Sequence, residues 1–248
     1  AGGKANTADS ISGINGGSYA FIGGGETNMA SGWYTVIAGG KTNAATRDFS
    51  AIGGGAGNLA NGDYSAIPGG LANAATNFAF AAGRRAKAVH PGAFVWGDST
   101  DADMVSSSLN QTTFRSSGGF RIFSDAAMSV GAYLSPGASA WGVICDRNAK
   151  ENFEPFDTRE ILEQLADMPM TSWNYKSDAS DRRYVGPIAQ DFHAAFGLGE
   201  DKMINTFDLD GVALAAIQGL NSKVQDLEAE NAELKARLER LEAMIGAR

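Results

Sequence analysis

IGGGETNMASGWYTV (residues 22–36), IAGGKTNAATRDFSA (37–51), IGGGAGNLANGDYSA (52–66) and IPGGLANAATNFAFA (67–81) are four copies of one fifteen-residue pattern. A fixed period implies one structural turn repeated, each copy needing its neighbours. Asn recurs at Asn28, Asn43, Asn58 and Asn73, and Ala at Ala30, Ala45, Ala60 and Ala75. An aromatic recurs at Tyr19, Tyr34, Phe49 and Tyr64. It skips Ala79, where Phe78 and Phe80 flank the slot, and returns at Phe94. Each unit carries two or three consecutive small residues, mostly Gly, which permit a sharp bend or close backbone approach. The pattern predicts a β-roll or β-solenoid rather than a helical repeat. A fifteen-residue coil has a thin interior. Ala and Gly are expected to fill it, with Ile and the aromatics at its edges or against neighbouring chains. At ~25 cal/mol per Å² of apolar area one such roll is marginal, and three intertwined chains bury the same stripes better.

Composition changes along the chain. Of the 32 glycines, 21 lie in residues 1–97. Residues 1–96 carry a net charge of +2, and the rest must carry −10 to reach the total of −8. No Lys/Arg cluster is dense enough to hold phosphates, which argues against nucleic-acid binding. The longest apolar runs fall far short of a membrane span. Ala1-Gly2-Gly3-Lys4 has no signal-peptide pattern. One cysteine makes no internal disulfide. His90, followed by Pro91, reads as a turn residue, and His193 lies in a different domain, so no metal site is expected. Gly23-Gly24-Gly25 and its copies lack a following Gly-Lys-Ser/Thr, so neither a phosphate-cradling loop nor any cofactor is expected.

Beyond the repeats, AGRRAKAVHPGAFVW (82–96) departs from the pattern and reads as a cap. Residues 97–144 hold short β-like pieces: Phe114-Arg115, Phe120 to Phe123, Tyr133-Leu134 and Trp141 to Ile144. Gly118-Gly119, Gly131 and Pro136-Gly137 punctuate them, as expected of a β neck. After residue 145 the style is helical. Asp157-Thr-Arg-Glu160 has capping-box spacing and opens a helix through Met168, with Ile161, Leu162, Leu165 and Met168 on one face. Thr171, Trp173 and Tyr175 alternate like a strand, and Tyr184 to Ile188 is a second. Ala189 to Phe196 reads as a helix stopped by Gly197. Asp208-Leu-Asp-Gly211 reads as a turn before the last helix. That helix repeats apolar residues at alternating three- and four-residue spacing: Ile217, Leu220, Val224, Leu227, Asn231, Leu234, Leu238, Leu241 and Ile245. Such a row predicts a coiled coil over 213–246, with Asn231 its one polar member. Charges of both signs at Glu228, Glu230, Lys235, Arg237, Glu239 and Arg240 suit its solvated face.

Where the two styles meet stands Cys145-Asp-Arg-Asn-Ala-Lys150-Glu-Asn152, a potential nucleophile and a lysine five residues apart. Together with Trp173-Asn-Tyr-Lys176, Gly186-Pro-Ile-Ala-Gln-Asp191 and Asp210-Gly-Val-Ala-Leu-Ala-Ala-Ile-Gln218, it resembles the C-terminal intramolecular chaperone domains of phage tailspikes, endosialidases and related bacterial fibre proteins. The repeats at about 7–96 resemble the head repeats of trimeric autotransporter adhesins. The first resemblance implies a domain that trimerises, templates the β-rich fibre upstream, and then releases itself by cutting before the Ser of a Ser-Asp…Lys motif. Carried onto this chain, the cut bond is Ile144–Cys145 and the partner base is Lys150. Asp146, Glu151 and Asn152 match the family pattern, as scaffold or cap residues at least as readily as catalytic ones.

The departure is Cys145 where the family has Ser. Cutting needs an activated nucleophile and a base. An amine is a poor base near its unperturbed pKa of ~10.4, and burial or another cation lowers that value; Arg147 is a nearby candidate. A thiol is more acidic than a hydroxyl, but sulfur is larger and its bond to carbon longer. An attack geometry set for oxygen then works poorly, and the expectation is a slowed or dead Ser/Lys-type peptidase and an uncut precursor.

The expected architecture is a β plus α multidomain chain. A trimeric β-roll head (1–96) leads through a neck (97–144) to an α+β chaperone domain (145–248) ending in a trimeric coil. The expected partners are two further copies, and a host-surface glycan or receptor at the head. The expected setting is a virion tail fibre or a bacterial surface. The alternative is a non-cleaving trimeric stalk. Residues 22–81 hold only Glu26, Asp48 and Asp63 as acids, which offers no obvious carboxylate pair of the kind a glycoside hydrolase needs.

Overall fold

The computed structural model describes residues 2–8, 19–178 and 180–246. It divides into two compact units, with the boundary between Glu151 and Asn152. Each is taken separately.

The first unit is built on a β-solenoid. Each coil gives one short strand to each of two parallel sheets. One sheet stacks Thr7–Ala8, Met29–Ala30, Ala44–Ala45, Leu59–Ala60, Ala74–Ala75, Ala86–Ala88 and Met104–Val105. The other stacks Phe21–Ile22, Val36–Ile37, Ala51–Ile52, Ala66–Ile67, Phe80–Arg84, Phe94–Gly97 and Thr112–Arg115, with Gly70–Leu71 also on Phe80–Arg84. The register is one residue type on its own kind: Ile22 on Ile37 on Ile52 on Ile67, and Ala30 on Ala45 on Ala60 on Ala75. A run of parallel bridges through Lys4, Glu26, Lys41, Ala56 and Leu71 makes a third side. Gly40 sits there at φ +96°, where a Cβ would run into the Gly55 carbonyl of the next coil.

The interior differs from the expectation in one respect. Ile22, Ile37, Ile52 and Ile67 lie inside with the alanines rather than at the edges, each 2 % exposed or less. Alternation along a two-residue strand puts Ile in and its predecessor out. The repeated asparagines are buried too, and each spans coils. The backbone N–H of Asn43, Asn58 and Asn73 donates to the side-chain oxygen of the Asn one coil earlier, at 3.0 Å each. The Asn58 amide nitrogen donates to Gly54 O at 2.9 Å and Gly70 O at 3.0 Å. The amide thus satisfies carbonyls that the small-residue bend leaves pointing inward. Thr35, Ser50 and Ser65 do the same at another corner, each hydroxyl donating to the carbonyl three residues back.

The aromatics stack outside. Tyr19, Tyr34, Phe49, Tyr64 and Phe78 form a column with centroids 4.7, 5.2, 4.9 and 5.3 Å apart and planes within 14°. From Tyr34 on, each holds φ of 56–58°. That left-handed backbone costs a bulky residue ~1–2 kcal/mol, against ~0.5–1.5 kcal/mol for each ring pair. Phe78, not Ala79, continues the column because this coil is one residue short. Phe94 leaves it and stacks on Phe80 at 4.5 Å. Residues 82–96 are therefore a further coil rather than a cap, and parallel pairing continues to Thr112–Arg115. The loop between Gly97 and Met104 is pinned by ion pairs of Arg84 and Arg85 with Asp101, Arg85 with Asp103, and Arg115 with Asp98.

Antiparallel pairing then takes over. Phe120–Phe123, Gly131–Leu134 and Gly142–Val143 form a three-stranded sheet.

In the second unit α1 (Thr158–Asp167) starts at Asp157, whose carboxylate accepts from the N–H groups of Arg159 and Glu160 as the capping spacing predicts. Strands Thr171–Trp173 and Tyr184–Gly186 pair antiparallel. α2 (Ala189–Phe196) ends at Gly197, φ 66°. α3 runs over Thr206–Gly246. The expected turn at 208–211 is instead its first turns. Asn205 caps it, accepting from Phe207 N–H at 3.0 Å, and Asp208 suits the positive end of the helix. Phe192, Met168 and Val212 centre the core, with Ile161, Leu165, Ala195, Phe196 and Ile204 around them. α1 crosses α3 at Gly219, where a Cβ would collide with the Thr158 carbonyl.

Candidate functional site

The junction motif directly follows Gly142–Val143, the strand that closes the three-stranded sheet, and its residues Cys145 to Glu151 lie in the first unit. The hairpin before it is shaped by Asp125, whose carboxylate accepts from Ser129 N–H at 3.0 Å, Ser129 Oγ at 2.7 Å and Val130 N–H at 2.9 Å. These bonds favour the charged carboxylate, and the Asp125 carboxyl is held below its usual range, chiefly by the Val130 N–H. The hairpin delivers Gly131–Leu134 alongside Gly142–Val143, pairing Ala132 with Val143 and Tyr133 with Gly142. One more backbone bond follows, from Ile144 N–H to Gly131 O at 3.0 Å.

The chain leaves the sheet at Cys145. Asp146 accepts from Asn148 N–H at 2.9 Å and from its side-chain amide at 3.0 Å, capping a single 3₁₀ turn over Arg147–Ala149. Lys150 N–H closes the turn on Arg147 O. This turn brings Lys150 back beside Cys145, and Lys150 Nζ donates to Cys145 Sγ at 2.8 Å. Both residues are exposed. Of the remaining motif residues, Asp146 faces Asn148, while Glu151 and Asn152 are exposed and Asn152 takes a left-handed φ of 57°. The burial that would make an amine an effective base is absent around Lys150 in the single chain.

The heptad residues lie on α3. Ile217, Leu220, Val224, Leu227, Leu234, Leu238, Leu241 and Ile245 are all exposed, from 43 % to 75 %. Asn231 turns its amide back to Leu227 O at 2.9 Å. Among the described residues no group of three or more His, Cys, Asp or Glu gathers as a metal site, and no helix is long and apolar enough to cross a membrane. His90 packs its ring nitrogen against Ser106 Oγ at 2.9 Å, in a structural position.

Two features around the motif were not read from the sequence. One is Gly131 as the backbone partner of Ile144. The other is a recess of about 370 Å³ lined by Gly118, Arg121, Phe123, Tyr133 and Ile144. The aromatic alternation of Phe120 to Phe123 and the isolated Gly131 were the available signals.

A family model described as chaperone of endosialidase matches residues 145–197, beginning at Cys145. No curated protein and no solved structure matches the chain. Residues 145–197 are thus similar to the chaperone of endosialidase family, and together with the β-solenoid ahead of them this likeness supports an intramolecular chaperone role for the C-terminal part of the chain.

Proposed function

We propose that the chain is the precursor of a homotrimeric fibre, of a phage tail or a bacterial surface, whose C-terminal part is a trimerisation chaperone that releases itself at Ile144–Cys145. The observation that carries this is the Lys150 Nζ to Cys145 Sγ contact of 2.8 Å, at the bond where the family match begins. A side chain directly after the scissile bond has one route to it. Cys145 Sγ adds to the Ile144 carbonyl carbon, and Lys150 takes the thiol proton. The C–N bond breaks, the proton passes to the leaving Cys145 amine, and Ile144 is left as a thioester on Sγ. Water then hydrolyses the thioester, giving an Ile144 carboxylate and a regenerated thiol. With Ser at 145 the same steps run through an oxygen ester. Cys slows them here, because its longer bond to carbon displaces the attacking atom.

Trimer assembly is proposed to bury Lys150 and arm the reaction, so that cutting follows folding. The coil supports association of copies. With Leu220, Leu227, Leu234 and Leu241 on one row and Ile217, Val224, Asn231, Leu238 and Ile245 on the other, parallel in-register helices set Lys223 against Glu228, Glu230 against Lys235, and Arg237 against Glu242 of a neighbour. All three pairs are opposite in sign. A non-cleaving trimeric stalk with a glycan- or receptor-binding head is the second reading, favoured by the exposed column of rings.

The Cys145→Ser chain tests the proposal. It should yield fragments of 144 and 104 residues on a denaturing gel, and Cys145→Ser with Lys150→Ala should stay whole. Sedimentation should give three times 25.8 kDa for the uncut chain. An intact Cys145→Ser chain refutes self-cleavage and leaves the stalk. A monomer refutes both.

A further inference from the structure

We propose that the three-stranded sheet is the acyl-side subsite of the cleavage: it holds Gly142, Val143 and Ile144 as a substrate strand and seats Ile144 against the recess walled by Arg121, Phe123 and Tyr133. This rests on the self-cleavage proposed above and adds what fixes the carbonyl to be attacked.

Attack across one peptide bond needs both sides of that bond held, since loose partners lose most of the advantage of proximity. On the far side, the 3₁₀ turn holds Cys145 against Lys150. The near side is held by backbone. Val143 pairs with Ala132, Gly142 with Tyr133, and Ile144 N–H bonds Gly131 O at 3.0 Å. On its other side Gly131 lies close against Phe120–Phe123, where a Cβ would meet the Ile122 carbonyl, so the strand that holds Ile144 is itself held. Ile144–Cys145 is therefore the linkage between two anchored segments.

The recess adds side-chain selection. Arg121 lays its guanidinium over the Phe123 ring at 4.9 Å and the Tyr133 ring at 5.8 Å, so its direction is set by two aromatic faces. Ile144 is half-buried beside these groups, whereas Val143 is 47 % exposed. Residue 144 is thus an apolar residue in an aromatic-walled site that also carries a cation. Cutting turns the neutral Ile144 carbonyl into a carboxylate, and Arg121 brings opposite charge to the recess where that product ends. Gly131, Arg121, Phe123 and Tyr133 act as positioning residues.

The test is a series at residue 144 in the Cys145→Ser chain, following fragment appearance after refolding. Ile144→Val and Ile144→Leu should cut within a few-fold of the parent. Ile144→Ala should slow by about tenfold or more, as loss of methylenes from a fitted site does, and Ile144→Lys, which sets a second cation beside Arg121, should slow it further. Ser139→Ala, at an exposed residue of the loop before this strand, is the control and should change the rate less than about threefold. Arg121→Leu should slow cutting, Arg121→Lys should restore most of it, and added guanidinium ion should accelerate Arg121→Leu alone. Sedimentation checks that each variant assembles as the parent does. Equal rates across the residue 144 series in a chain that does cut overturn the subsite and leave self-cleavage standing. Failure of Cys145→Ser itself to cut overturns both.

Discussion

Replacing Asn58 by Ala isolates what the buried asparagines contribute. The Asn58 side chain donates to Gly54 O and Gly70 O and accepts from Asn73 N–H, at 2.9, 3.0 and 3.0 Å. Asn58 and Asn73 are each 1 % exposed, so water does not replace the lost partner. Stranding the Asn73 N–H costs ~1–3 kcal/mol, and each of the two lost bonds to carbonyls about 1 kcal/mol. The expected loss is therefore about 3–5 kcal/mol, a large part of the ~5–15 kcal/mol that holds a typical domain. The matched control is Asn61→Ala, the same change at an exposed residue of the same coil, worth less than ~0.5 kcal/mol. Urea unfolding of the three chains at equal concentration measures both. Because a solenoid is held by nearest-neighbour terms, local opening is also informative. Exchange of the Asn73 amide should accelerate by about 10²-fold or more in Asn58→Ala. Two variants within 0.5 kcal/mol of each other, with unchanged Asn73 exchange, would refute the role assigned to the amide column.

Two other outcomes are expected. Gly219→Ala should destabilise the C-terminal unit by ~1–3 kcal/mol, because its Cβ meets the Thr158 backbone, whereas Gly211→Ala, with open space around it, should gain up to ~1 kcal/mol; separate melts of the two variants decide this. Asp98 is held far below its usual range, first by the Ser117 N–H and hydroxyl, then by Arg115. A depressed carboxyl stabilises the fold above its unfolded pKa of ~3.9 and loses that contribution as pH falls below it. Asp98→Asn should accordingly be less stable than the parent at pH 7, and the gap between the two should narrow as pH falls below about 4, which acid titration of unfolding in both chains measures.

The solenoid was legible because a fifteen-residue period has few structural solutions. Where each residue would point was less so. Two-residue strands are too short for alternation to separate inside from outside, and a thin interior suits Ala and Gly as readily as Ile, so the sequence alone does not turn the isoleucines inward. Asn was visible as a repeat, but its bonds run to the next coil and have no local signature. Phe78 could be placed only once the coil was seen to be a residue short. In the C-terminal unit, the Asp157 cap is a local device and was readable. The turn read into Asp208 to Gly211 came from composition alone, while Asn205 had already started the helix. At the junction the five-residue spacing of Cys145 and Lys150 was readable, since one capped turn spans it. The Gly131 partner of Ile144 was not, because antiparallel pairing is set by the Asp125 hairpin rather than by residues next to the bond.

Like-on-like stacking of the coils has an evolutionary consequence. In the buried columns every coil from Ile22 to Ala66 offers its successor the same neighbours it received, so removing residues 37–51 would bring Ile22 onto Ile52 and Ala30 onto Ala60 with no new residue type met inside. Copy number is then free to drift by in-frame duplication or loss, each event changing reach by one strand spacing, ~4.8 Å. Such a rod works as a graduated ruler, adjustable in length while its two ends keep their own chemistry.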